Sequence, residues 1–280
     1  MKERMNIVIV GHVDHGKSTL VGRLLADTNS LPNGKLEQVK RTCELNSKPF
    51  EYAFLLDALK DEQDQGITID TARIFFKSPK REYIIIDAPG HIEFLKNMIS
   101  GAARAEAAIL LIDAQEGIAE NSKRHAYMLS MLGINQIIVA VNKMDLVDYN
   151  EDIFKKIQKE YSLFLKDINI AHIAFVPVAA RNGINITENK NEISWYYGLG
   201  ILPLIDTFQK EKEDDKNHFR MFVQGIYKFT ANGDDRRIVA GTINSGTINV
   251  GDEIVFLPSG KKSVVKSIEI FGRDNISKAY

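Results

Sequence analysis

The chain has 280 residues, 44% hydrophobic and 26% charged, with 36 lysines and arginines against 37 aspartates and glutamates. That length holds one large domain plus a smaller one, and the composition fills a core, which excludes a mostly disordered chain. The formal net charge of −1 offers no basic field to naked nucleic acid and argues against such a partner, while a single cysteine, Cys43, excludes an internal disulfide and fits a reducing compartment. Met1–Met5 is charged and runs into an apolar stretch too short for a signal peptide or a membrane span, so the expectation is a soluble, cytoplasmic chain with no membrane partner.

The first expected element is a strand over Asn6–Val10. It runs into Gly11-His12-Val13-Asp14-His15-Gly16-Lys17-Ser18, a complete G-x-x-x-x-G-K-[ST] phosphate loop, followed by Thr19. Glycines at that spacing let the backbone wrap a phosphate with its N–H groups inward. Lys17 then reaches the β- and γ-phosphates, and the Ser18 hydroxyl takes a Mg²⁺. Residues Gly11 to Thr19 are therefore the phosphate-binding candidates. A helix over Lys17–Asp27, apolar at Leu20, Val21, Leu24 and Leu25, starts at once and aims its N-terminal dipole at the same place.

Thr28–Gly66 is long, polar and only partly periodic, and reads as a functional or mobile connection. Thr68, in Gly66-Ile67-Thr68-Ile69-Asp70, is placed to reach Mg²⁺ with its hydroxyl and a γ-phosphate with its N–H, and loss of that phosphate would release it. Strands follow over Arg73–Phe76 and Tyr83–Ile86. The second ends in Asp87-Ala88-Pro89-Gly90, where Asp87 suits a Mg²⁺-bound water and the Gly90 N–H a γ-phosphate.

A helix over Ile92–Gly101, a strand over Ala107–Ile112, a helix over Ser122–Leu132 and a strand over Gln136–Val141 lead to Asn142-Lys143-Met144-Asp145. A carboxylate at Asp145 accepts both guanine donors, N1–H and N2–H₂. Adenine offers neither and would leave the charge unpaired. Asn142 suits a tie to the phosphate loop, and the Lys143 stem a cover for the base. A helix over Glu151–Leu165, a strand over Ile173–Val176 and a helix over Leu199–Lys210 complete a βα alternation. Several strands are apolar at every position, so the fold class is α/β: a mostly parallel sheet with helices on both faces. Glu211–His218 is almost wholly polar and reads as a linker. Beyond it, short strands (Phe219–Phe229, Arg237–Ile243, Thr247–Val250, Asp252–Leu257, Ser263–Phe271) separated by turn signals read as an antiparallel β-barrel that looks incomplete. The expected organisation is a nucleotide domain over 1–210, a linker over 211–218 and a barrel domain over 219–280.

Together the phosphate loop, Gly66-Ile67-Thr68-Ile69, Asp87-Ala88-Pro89-Gly90-His91 and Asn142-Lys143-Met144-Asp145 resemble the translation-factor class of P-loop GTPases, typified by elongation factor Tu. The resemblance spans nearly the whole chain and implies GTP and GDP as substrate and product, with Mg²⁺. In that family the histidine after D-x-x-G, here His91, positions the water that attacks the γ-phosphate. Leu55-Leu56-Asp57-Ala58-Leu59, Asp64–Asp70, Leu129–Gly133, Asn142–Tyr149, Phe175–Val178, Trp195–Gly198 and Leu257–Gly260 are similar to one branch, the large GTP-hydrolysing subunits of bacterial sulfate adenylyltransferase. That likeness implies a partner, the small ATP-pyrophosphatase-like catalytic subunit, which makes adenosine 5′-phosphosulfate from ATP and sulfate while the large subunit couples GTP hydrolysis to it. An elongation factor delivering aminoacyl-tRNA shares every nucleotide motif, and a nucleotide-gated scaffold with an idle His91 is the third reading. One departure stands out: Ala179-Ala180 occupies the guanine-cradling loop where the family has serine then alanine. The Ala180 N–H remains a candidate for the guanine O6, while the bracing hydroxyl is lost at Ala179, which predicts somewhat weaker or more mobile base binding.

Overall fold

The computed structural model describes residues 3–64, 73–87, 105–170, 172–188, 192–210, 218–228, 237–270 and 273–279. Thr68, Gly90, His91, the helix expected over Ile92–Gly101 and nearly all of the expected linker lie outside them. The chain divides into two compact units, Met1–Lys210 and Glu211–Tyr280.

The first unit is organised by strand parity. Strands β1 (Arg4–Gly11), β2 (Arg73–Lys77), β3 (Glu82–Asp87), β4 (Ala107–Asp113), β5 (Ile137–Asn142) and β6 (His172–Pro177) form a sheet in the order β2-β3-β1-β4-β5-β6. Met5, Ile7 and Ile9 of β1 face one side with Ala107, Ile109 and Leu111 of β4, while Val8 and Val10 face the other with Ala108, Leu110 and Ile112. Because successive side chains point to opposite faces, a strand covered on both sides must be apolar at every position. The first face is covered by α1 (Lys17–Asp27), through Leu20, Val21, Leu24 and Leu25. The second is covered by α4 (Glu120–Met131) and α5 (Glu151–Asp167). Phe154, Ile157, Tyr161 and Leu165 make the buried stripe of α5. Its start is set by Asn150, whose side chain accepts from the Ile153 N–H at 3.1 Å, and by Glu151 and Asp152 in the first turn.

Two sequence expectations need correction, the connection over Thr28–Gly66 and the helix over Leu199–Lys210. The stretch Thr28–Gly66 is not one long connection: it contains α2 (Lys35–Leu45) and α3 (Ala53–Asp64), with Val39, Cys43 and Leu55 buried between them. The apolar stripe of α2 is thin because it covers only this small cluster, which weakened the periodic signal. The sheet itself is mostly parallel, as expected: β2 pairs antiparallel with β3, and all other described pairs of the sheet are parallel. The helix expected over Leu199–Lys210 shrinks to α6 (Ile201–Ile205). Its continuation is pinned to the sheet instead: the Gln136 side chain exchanges two hydrogen bonds with the Gln209 backbone, at 2.6 and 2.7 Å.

The second unit contains β7 (Arg220–Lys228), β8 (Arg237–Ser245), β9 (Ile248–Asn249), β10 (Glu253–Phe256), β11 (Lys261–Val264), β12 (Ile268–Ile270), β13 (Arg273–Ile276) and β14 (Lys278–Ala279). Among the described residues these strands join as antiparallel pairs, β7 with β8, β10 with β11, β12 with β13 and β14 with β9, rather than as a continuous barrel wall. Gly241 lets β8 approach β7, since a Cβ there would lie 1.9 Å from the Phe222 carbonyl oxygen. Among the described residues no helix is long and apolar enough to cross a membrane.

Candidate functional site

The order β3-β1-β4 puts the end of β1 where successive connections leave the sheet in opposite directions, the usual place for a ligand in an open α/β sheet. The loop His12–Gly16 leaves β1 there and enters α1 at Lys17. Its shape needs residues that tolerate positive φ: Asp14 has φ 65° and Gly16 has φ 89°. Gly16 is required for a second reason, because a Cβ there would lie 2.4 Å from Asn142 Nδ2. Lys17 Nζ donates to the Gly11 and His12 carbonyl oxygens, both at 2.7 Å, so the ammonium lies against the loop that it would serve.

Histidines brace the loop from behind. His15 is fully buried, with Nδ1 3.1 Å from the Leu111 carbonyl oxygen and Nε2 3.0 Å from Glu116 Oε2. His12 meets the Asn121 side chain at 2.9 Å, and its ring sits edge-on to that of His15 at 5.5 Å. His125 of α4 is buried with no partner for Nδ1 among the described residues. Burial first, then the charge of Lys17, pushes its imidazole down to about 4.

Asn142 joins the phosphate loop to the opposite end of the site. Its Nδ2 donates to the His15 carbonyl oxygen at 2.8 Å, and its Oδ1 accepts from the Ala180 N–H at 3.0 Å. The Ala180 N–H, expected at the guanine O6, is thus already engaged. The Lys143 ammonium reaches away to the buried Asp113 at 2.7 Å. The Met144 N–H donates to the Val178 carbonyl oxygen at 3.1 Å, tying the two base-side loops together. Ala179 is fully buried, and its carbonyl accepts from the Asn182, Gly183 and Ile184 N–H groups at 3.0, 2.9 and 3.2 Å. Backbone bonds thereby brace this turn where the family's serine is missing. Tyr149 follows the short 3₁₀ turn Met144–Val147, and its carbonyl is held by Trp195 Nε1 at 2.7 Å.

These segments enclose a cavity of about 370 Å³ lined by Gly16, Thr19, Asn142, Lys143, Asp145, Leu146, Ala180 and Arg181, and by Phe50, Glu51 and Tyr52. The volume is within the range of small-molecule sites, roughly 300–1,000 Å³. Of the described residues that the sequence assigned to the nucleotide, Gly16, Thr19, Asn142, Lys143, Asp145 and Ala180 line this cavity, whereas Gly11 to His15, Lys17, Ser18 and Ala179 are not among its lining. Sequence reasoning missed the wall Phe50–Tyr52, the Asp113 anchor and the Glu116 brace. A charged residue closing an apolar strand, as Asp113 does, is the one local signal available for any of them. The backbone of Asp87 stands beside Ile9, at the phosphate end.

No ligand set for a metal alone exists among the described residues, where no three His, Cys, Asp or Glu side chains converge. Magnesium, the ion the phosphate-loop motif implies, is a hard cation that takes few protein oxygens and binds together with its phosphates. Ser18, in the first turn of α1, supplies a hydroxyl of that kind.

The sequence profile of the family described as the elongation factor Tu GTP binding domain matches residues 2–226. The chain is 38% identical over 272 residues to elongation factor 1-alpha of Methanoregula boonei, covering 96% of this chain and 63% of that protein. It is 41% identical over 273 residues to sulfate adenylyltransferase subunit 1 of Psychromonas ingrahamii, covering 96% of this chain and 57% of that protein. The chain therefore spans about three fifths of the length of such relatives. The solved structure of sup35 complexed with GMPPNP superposes with a TM-score of 0.54 at 25% identity, covering 100% of this chain and 61% of the other. The phosphate loop at the sheet's crossover and the profile match together make this chain a member of the elongation factor Tu GTP-binding domain family.

Proposed function

We propose that the chain is the GTP-binding and GTP-hydrolysing part of a sulfate adenylyltransferase large subunit. It would work in the cytoplasm and couple hydrolysis to adenosine 5′-phosphosulfate synthesis on a small catalytic partner. The observation that carries the reading is the identity of 38–41% to sulfate adenylyltransferase subunit 1 from several bacteria, over 95–100% of this chain. Identity of 37–38% to archaeal elongation factor 1-alpha supports a second reading, delivery of aminoacyl-tRNA.

In this reading Gly11 to Thr19 wrap the phosphates, Lys17 swings from the Gly11 and His12 carbonyls to the β- and γ-oxygens, and Asp145 accepts from guanine. Ser18, Thr68 and, through water, Asp87 would hold magnesium, which when bound neutralises the developing charge on the phosphates. The Gly90 N–H meets the γ-phosphate. His91 orients the attacking water, a contribution made mainly in the transition state. Departure of the γ-phosphate releases Thr68, and a partner that prefers the GTP form would raise GTP affinity by the same factor.

Two measurements test this. A pull-down of the full-length protein with GTP from its own cells should return a small ATP-pyrophosphatase-like subunit; recovery of aminoacyl-tRNA instead would replace the first reading by the second. With partner present, His91→Ala should slow single-turnover hydrolysis by about 10²-fold or more while leaving GTP affinity nearly intact. An unchanged rate would make His91 structural.

A further inference from the structure

The segment Phe50–Tyr52 belongs to no nucleotide motif, yet it lines the cavity together with Asp145 and Lys143. It is also firmly held. The Tyr52 carbonyl oxygen accepts from the Leu55 N–H at 3.2 Å in the first turn of α3. A Cβ at Gly22 of α1 would lie 2.0 Å from that same oxygen, so the α1 backbone is pressed directly against residue 52.

The two rings of the segment are 5.1 Å apart, edge to face, and each carries a cation: the Lys40 ammonium lies 5.5 Å from the Phe50 centroid, and the Arg23 guanidinium 4.6 Å from the Tyr52 centroid. Arg23 does more than cover the ring. Its Nε donates to Asp27 at 2.8 Å, and its guanidinium packs so close to Gly183 that a Cβ there would lie 2.4 Å from Nη2. Gly183 closes the turn that begins at Ala179 and carries Ala180 and Arg181, both part of the cavity lining. One guanidinium therefore touches the aromatic wall on one side and the base-side turn on the other.

We infer that Phe50 and Tyr52, positioned by Arg23, form a third wall of the cavity that takes the nucleoside part of the bound nucleotide by aromatic contact and sets how long it stays. The inference rests on the guanine-nucleotide reading above. The physical reason is that an aromatic face against a base or ribose adds dispersion and quadrupole attraction that an aliphatic wall cannot supply. A wall already fixed by α1 and α3 adds that contact with little ordering cost on binding, so its loss appears chiefly in the dissociation rate. Burial of the same rings against Val39, Cys43 and Leu55 is the competing explanation, in which they only cap a small core.

The test follows release of tritiated GDP from the full chain after a chase with unlabelled GDP, beside thermal melting of the nucleotide-free protein. Tyr52→Leu keeps an apolar group on the core and removes the aromatic face, and it should speed release about tenfold. Tyr52→Phe keeps the face and should restore release to within about twofold of the original rate. Arg23→Leu, which keeps both aromatic residues and changes no residue of the small core, should speed release about threefold by loosening the wall. Wild-type release rates in Tyr52→Leu and Arg23→Leu, with lowered melting temperatures alone, would overturn the inference and leave the rings as core. Failure of the unaltered chain to retain GDP at all would instead remove the nucleotide reading, and this inference with it.

Discussion

The two ends of the cavity are built in opposite ways. The end assigned to the phosphates in the proposed reading is one unbroken stretch, Gly11 to Thr19, of which Gly16 and Thr19 line the cavity, and adjacent residues impose its shape through φ angles and helix onset. The end assigned to the base in the proposed reading is assembled from Phe50–Tyr52, Asn142, Lys143, Asp145, Leu146, Ala180 and Arg181, which meet only in the folded chain. The difference teaches that a phosphate, a compact anion, can be met by local backbone geometry, whereas a planar base needs walls brought from distant elements. Asn142 spans both constructions, with its amide nitrogen on His15 and its amide oxygen on Ala180.

The sharpest way to break this comparison is at its charged centre. Lys17→Ala should abolish nucleotide binding, a loss of about 4 kcal/mol or more, because it removes the ammonium poised at the loop; undiminished GTP affinity by calorimetry would contradict the phosphate-end assignment. At the other end, Asp145→Asn should weaken GTP by ~2–4 kcal/mol and turn preference toward XTP, since an amide cannot accept from both guanine donors but can donate to the xanthine carbonyl. Competition between GTP and XTP reads this, and a wild-type preference would show that Asp145 does not read the base.

Asn142→Ala attacks the joint. It leaves the His15 carbonyl and the Ala180 N–H without their present partner, at a cost of about 2–3 kcal/mol to stability. Affinities for GDP and for inorganic pyrophosphate should both fall; a loss confined to one of them would show that the two ends are independent.

The smallest effect separates the ends by pH. The imidazole of His125 sits near 4 behind the phosphate loop, below its ordinary 6.5, because burial and the charges of Lys17, His12 and His15 oppose a proton there. Between those values the unfolded chain binds a proton that the folded chain excludes, so stability is full above 6.5 and falls as pH drops toward 4. From pH 7 to pH 5 this should cost about 2 kcal/mol, which denaturant titration can follow. His125→Leu should flatten that part of the profile, and an unchanged slope would assign the acid sensitivity elsewhere.

The chain's own sequence determined what depends on neighbours along the backbone. The spacing from Gly11 to Ser18 places a positive-φ turn before a helix start, and the unbroken apolar runs at Ala107–Ile112 and Ile137–Val141 require a strand covered on both faces. Tertiary structure alone decided the rest. Nothing local to Phe50-Glu51-Tyr52 tells that α1 presents a glycine to it at residue 22, or that Arg23 reaches across to Gly183. Nor does Ala179-Ala180 disclose that one N–H turns to Asn142, 38 residues earlier in the chain, while the neighbouring carbonyl braces the turn in place of a hydroxyl. Side-chain periodicity records which face a residue shows, and it carries no record of which distant segment closes the space in front of that face.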